Sequence, residues 1–240
     1  MKKSVAVTLW TIACILGFII LLLGYFGFVP ILSDITWGTN PRDLGVEYSD
    51  KDLASINNKL GILYKNLGAT SYPKDSLTIQ GSRQIETMFT QEELTALMND
   101  HSARWKYYPV SDAQIRINAD GTIEISGRLN TKRITGYEEA TDMPEVYREG
   151  IDAKLPFIFV RPRYYAKGFF AIEDGVVKQN VNTVEVGRFN VPSQWLARND
   201  PSDFINNRLK EAGIVAKSAS FMNGKVVFSG TVPEQVGFGN

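Results

Sequence analysis

Chemistry that needs a nucleophile or a proton shuttle has little to work with in this chain. His101 is the only histidine and Cys14 the only cysteine. Cys14 falls inside a long apolar run, so no thiol and imidazole can meet outside it. His101 lies near the expected end of a helix, where a cation interacts favourably with the C-terminal dipole. That structural role is preferred to catalysis. HExxH, CxxC and GxSxG are absent. Ser71-Tyr72-Pro73-Lys74 matches S-x-x-K formally, but Pro73 opposes the helical turn that would bring Lys74 onto Ser71. The companion S-D-N and K-T-G motifs are missing, so the match is taken as chance. Glu138, Glu139, Asp142 and Glu145 cluster in sequence. An acid pair or weak calcium site is weighed against a solvated acidic loop near Lys132, Arg133 and Arg148, and the loop is preferred. No glycine loop cradles a phosphate. The chain is read as non-enzymatic, with no catalytic residue, metal or cofactor.

Aromatic and basic residues interleave from Pro156 to Phe170. Arg161, Arg163, Tyr164, Tyr165 and Lys167 are candidate contacts to a membrane surface, cations on headgroups and rings in the apolar layer. The same alternation marks a strand with one buried and one wet face, which is the plainer reading. Trp105-Lys106-Tyr107-Tyr108 is read likewise.

Whatever binds must be positioned by the elements around it, and the first is Ser4 to Ser33. This run has no charge and exceeds the roughly 20 apolar residues that a helix needs to cross a bilayer. Lys2 and Lys3 precede it and Asp34 follows, which places the N-terminus in the cytoplasm and the rest outside. A cleaved signal has a shorter apolar region and a small-x-small site. A lipoprotein signal would need a better triplet than Thr11-Ile12-Ala13 before Cys14. A core helix would show a polar face. The uncleaved anchor fits best, and Gly17, Gly24 and Gly27 hint at a partner helix. Without Lys2 and Lys3 the remainder has 24 basic and 26 acidic residues, which argues against nucleic acid. Outside the run there is no cysteine, which suits a bacterial envelope.

The expected organisation is 1–33 tip and anchor, 34–75 connection and first helix, and 76–240 an extracytoplasmic α+β domain. Tyr48, Ser49, Asp52 and Leu53 form a capping box with a staple. Helical spacing runs on through Leu67 to a cap at Gly68, with Gly61 as an earlier stop. Phe89, Thr90, Glu93 and Leu94 repeat the signal, and that helix runs to Asn99 or His101. Asp200-Pro201 starts a third, ended by Gly213. Ser76 to Met88 reads as an edge strand and Leu155 to Val160 as a buried run. Asp120-Gly121, Asp174-Gly175 and Asn223-Gly224 are hairpin turns. Ser126-Gly127 and Ser229-Gly230 each follow such a turn at equal spacing and mark bulges. Helix, hairpin and Ser-Gly thus form a unit that recurs, through duplication or through convergence on good turn chemistry. The fold class is α+β: a transmembrane helix, then an antiparallel hairpin-rich sheet packed with a few capped helices.

The runs Phe89 to Asn99, Ile115 to Leu129 and Gly187-Arg188-Phe189-Asn190-Val191-Pro192 resemble bacterial membrane-anchored proteins of the YpmS-like type. The architecture is also similar to the tubular lipid-binding (TULIP-like) class, a curved sheet around a long helix and an apolar groove. The resemblance implies a non-enzymatic role at the membrane surface, holding a lipid or other apolar ligand. Inward Ile115, Ile117, Ile123, Ile125, Phe157, Phe159, Phe169, Phe221 and Phe228 would line the groove. The alternative is an accessory subunit of an envelope membrane-protein complex, bound through an exposed face such as Leu53 to Leu67. A carboxylate hydrolase comes last.

Overall fold

The computed structural model describes residues 14–22, 40–143, 161–192, 194 and 202–240. It is an α+β fold with a curled antiparallel sheet and a few helices. The strands are β1 (Leu63–Gly68), β2 (Leu77–Gln80), β3 (Arg83–Thr90), β4 (Val110–Ile117), β5 (Thr122–Leu129), β6 (Arg163–Glu173), β7 (Val176–Val186), β8 (Phe189–Asn190), β9 (Val215–Met222), β10 (Lys225–Val232) and β11 (Gln235–Gly239). The helices are α1 (Asp50–Leu60), α2 (Gln91–Arg104), α3 (Thr131–Ala140) and α4 (Ser202–Glu211). Residues 14–22 are also helical, with exposed apolar side chains.

The long β6–β7 hairpin is the spine of the large sheet. β5 pairs with the first part of β6, and β9 takes the same side further on, at Ile172↔Ala219. The β4–β5 and β9–β10 hairpins therefore meet turn to turn. Gly224 donates its N–H to the Ile117 carbonyl at 2.9 Å, and Asn223 to that of Asn118 at 3.3 Å. A smaller sheet has the order β1-β11-β2, with β1 parallel to β11.

Two turns use positive φ at both central residues, Asp174-Gly175 and Asn223-Gly224. The expected two-residue turn at Asp120-Gly121 is instead a four-residue loop, Asn118 to Gly121. Only its glycine has positive φ, and Asp120 Oδ1 accepts from the Thr122 N–H at 2.9 Å, which selects the longer loop. Both Ser-Gly pairs sit at ladder shifts. β10 slips against β9 between Ser229 and Gly230, and β4 slips against β5 opposite Gly127, between Ser111 and Gln114.

Both capping boxes form. Asp52 accepts from the Ser49 N–H, and Glu93 from the Thr90 N–H. The first helix, however, stops at Leu60, with Gly61 left-handed at φ 55. The helical reading through Leu67 to Gly68 is corrected: those residues are β1, held in extended form by β11. The apolar face expected over Leu53 to Leu67 is thus divided between a helix and a strand. Ser76 to Met88 is two strands rather than one. The second helix runs on to Arg104.

Residues on both sides of position 75 share one core, since Ile56 and Leu60 of α1 cluster with Ile85, Phe89, Ile115 and Val226. The charged stretch after Asn130, read as a solvated loop, begins instead as helix α3, and Glu138 on it is buried. Gly136 makes this packing possible, because a Cβ there would strike the Tyr107 ring. The expected cap at Asp200, the run from Leu155 to Val160, and residues 144–160 generally lie outside the described residues.

Candidate apolar-ligand site

A cavity of about 420 Å³ lies between the two sheets and the helices. Its walls follow from the elements. Helix α2 points Leu94, Leu97 and His101 inward, at helical spacing along one face. Its other polar stripe, Gln91, Thr95 and Asn99, faces the open edge of β4 and accepts from the N–H groups of Ile117, Ile115 and Ala113, each at 3.0 Å. A helix step of four residues is about 6 Å and a strand step of two about 6.6 Å, so the spacings match. This ladder fixes which face of α2 the cavity receives. α1 adds Ile56 and Leu60, β6 adds Phe170 and Ile172, and α4 adds Leu209. β9 and β10 add Ala219, Phe221, Val226 and Phe228.

One end of the cavity is aromatic. The Trp105 ring stacks near Phe238 at 5.9 Å, and its Nε1 donates to Ser76 Oγ at 2.9 Å. The His101 ring stands edge-on to Phe238 at 5.3 Å and to Tyr108 at 5.9 Å, with Tyr64 Oη 3.4 Å from Nε2. Burial pushes His101 down to about 4. The reading of His101 as a cation stabilising the helix end is therefore corrected: the ring is neutral at pH 7 because its neighbours exclude water. Burial also pushes the Tyr64 phenol up to about 12 and raises Tyr108.

Among the described residues, the charged groups at the cavity are a pair from α4. Arg208 bonds Glu211, reaches Thr141 Oγ1 at 2.8 Å, and lies over the Tyr137 ring at 5.9 Å. Burial raises the Glu211 carboxyl, and nearby Asp142 adds to this, against the pull of Arg208. The lining is otherwise almost wholly apolar, suited to holding hydrocarbon or rings. Among the described residues, no three metal-ligating side chains stand together.

Of the residues expected to line a groove, Phe221 and Phe228 do. Ile115 and Ile117 are buried in the adjoining core, with Ile123 and Ile125 packed against it. Phe169 points to solvent, 42 % exposed, and its neighbour Phe170 lines the cavity. Successive side chains of a strand alternate between faces, so Phe170 and Ile172 take the cavity side of β6 and Phe169 the other; the ladder shift beside them skips Asn182 on β7. Phe157 and Phe159 lie outside the described residues.

Of the candidate surface residues, Arg161 is exposed, while Arg163 Nε donates to the Gly187 carbonyl at 2.8 Å. Tyr164 packs on Gly127. Tyr165 is buried and donates to Glu124 at 2.6 Å; Lys167 lies 3.6 Å from the same carboxylate. Sequence reasoning did not place α2, Trp105, Tyr137 or α4 at the site. The aromatic run at Trp105 to Tyr108 was the available signal.

Comparisons with family models, curated proteins and solved structures find no match for this chain.

Proposed function

We propose that this chain is a membrane-anchored, extracytoplasmic binding module that holds a lipid or other apolar ligand at the cell envelope. The observation that carries the reading is the cavity. The cavity is partly open to solvent, and without a ligand about 420 Å³ leaves its apolar walls without packing partners. Water fills such a space poorly when the walls offer few hydrogen bonds. An apolar occupant removes both costs, and the volume lies in the range of small-molecule sites.

Residues 4–33 serve as the anchor in this reading. Among the described residues no helix is long and apolar enough to cross a membrane. Support comes from the uncharged run itself and from the exposed Ile15, Leu16, Phe18 and Leu21 of the helical stretch 14–22. The curled sheet and apolar cavity are also what a TULIP-like or YpmS-like relationship would imply.

The test is native mass spectrometry. The full chain is prepared without detergent and carries an engineered protease site between Asp34 and Asn40, so that the outer domain can be released. A stoichiometric lipid-sized adduct, identified after solvent extraction, is expected. A clean apo mass that persists after incubation with host lipid would overturn the reading. An accessory-subunit role has one observation in its favour: Met88 and Val227 form an exposed apolar cross-strand pair. Cross-linking in membranes from Val227→Cys would capture that partner.

A further inference from the structure

A short strap fixes where the chain enters the domain. Arg42 lies 3.7 Å over the Tyr165 ring and pairs with Glu185 at 2.8 Å. Leu44 and Val46 bury against Tyr165, and the Leu44 N–H donates to Gln114 Oε1 at 2.6 Å. At the strap's start, Asn40 Oδ1 accepts from Arg128 Nη2 at 3.3 Å. The chain therefore arrives at the end of the sheet where β5 finishes and β6 begins.

That end is basic. Arg128 and Arg163 face each other across β5 and β6. The Leu129 N–H bonds the Pro162 carbonyl at 2.9 Å, which brings the exposed Arg161 beside them. Helix α3 starts just beyond, with Lys132 and Arg133 and no acid in its first turn. Among the described residues the acids beside this group are Asp112, 3.4 Å from Arg128, and Glu185, which Arg42 already pairs. Phe189, 52 % exposed, stands two residues past Gly187, whose N–H bonds the Arg163 carbonyl at 2.7 Å. Like charges opposed across a sheet repel, and an anionic surface relieves that repulsion.

We propose that this end of the domain docks on the anionic headgroup surface of the bilayer entered by residues 4–33, with Phe189 at the interface. The inference rests on the anchor reading, because the anchor supplies the proximity. Residues 34–40 reach at most about 25 Å when extended, so the basic end is held beside the headgroups at high effective concentration. Each cation near an anionic leaflet shifts the docked ratio about fivefold, and the attraction fades within a Debye length.

The test uses the full chain with Cys14→Ser and Asn190→Cys, labelled with an environment-sensitive fluorophore. It is reconstituted in phosphatidylcholine vesicles with or without phosphatidylglycerol, and a label at Val227→Cys is the control. A blue shift at position 190 is expected only in the anionic vesicles. High salt should reverse it, and Arg161→Gln and Lys132→Gln should each lower the docked ratio about fivefold. A label equally wet in both vesicles overturns the proposal, as does a shift indifferent to salt and to both substitutions. Flotation with neutral vesicles reports the anchor separately, so failure of the anchor and failure of docking are told apart.

Discussion

The hydroxyl of Thr95 accepts the backbone N–H of Ile115 at 3.0 Å, and both residues are buried. A helix side chain thus does the work of a neighbouring strand. With Gln91 and Asn99 it closes an edge of the sheet that would otherwise be open to pairing with another chain. Thr95→Val keeps the shape and removes the acceptor, leaving a buried N–H without a partner. Chemical denaturation should show a loss of about 1–3 kcal/mol, with Thr95→Ser retaining more stability than Thr95→Val. Equal stability of Thr95→Val and the parent would remove the ladder's importance.

Glu93 joins α1 to α2. It is buried, accepts from Lys59 Nζ at 2.6 Å, and closes the capping box at Thr90. Burial works to raise its carboxyl, but hydrogen bonds from Lys59, Ser55 and Thr90 prevail and hold it below the ordinary 4.5. A carboxyl depressed in the folded state stabilises above its unfolded value, and that contribution is lost as pH falls through the folded value. Lys59→Met should cost on the order of 2–3 kcal/mol near neutrality, less than for a fully buried pair because Lys59 is part-exposed. The loss should shrink as pH falls through the folded value, below the ordinary 4.5, and Glu93 gains a proton. Urea titrations of both proteins across pH 3–7 would check it.

His101 has the opposite chemistry with the same sign. Its ring holds no proton in the folded state until about pH 4, whereas unfolded it binds one near 6.5. Between these values the unfolded chain carries more protons, so stability falls as pH drops, by roughly 1.4 kcal/mol per unit. His101→Phe should flatten the profile between pH 6.5 and 4. NMR titration of the ring should give a midpoint well under 5; a midpoint near 6.5 would show a wet site.

Ala219 lines the cavity from β9 with its side chain buried. Ala219→Leu should occupy part of the void, raise the thermal midpoint of ligand-free protein and weaken capture of apolar ligand at least tenfold. Binding that is unchanged, measured by displacement of a fluorescent fatty acid, would place the ligand elsewhere.

Local chemistry was legible in the sequence. Ser49 with Asp52 and Thr90 with Glu93 named two helix starts, and Asn223-Gly224 and Asp174-Gly175 named two turns, because each signal lies within a few residues. What failed depended on distant partners. Leu63, Tyr64 and Leu67 suit helical spacing, and only the docking of β11 makes them a strand. His101 looks like a solvated cation until Tyr64, Tyr108 and Phe238 enclose it. Phe169 and Phe170 are equivalent in sequence, and only the side of β6 on which α2 and the small sheet pack decides which one turns inward. The cavity was legible as a class of site, through the apolar hairpins. Its walls from α2 and α4 were not, because a helix face finds its role only once a sheet edge orients it.

The parallel pairing of β1 with β11 has a kinetic consequence. The strand that follows the first domain helix has as its partner, among the described residues, one that leaves the ribosome after every other strand. Tyr64 and Phe238, which stack 6.0 Å apart on the cavity wall, therefore meet only after nearly the whole domain has been made. Until then, β1 and the aromatic wall lie open. High contact order of this kind slows folding and leaves apolar surface exposed in the interval. The aromatic wall of the cavity is thus among the last parts of the domain to be covered, when residues 235–239 take their place beside β1.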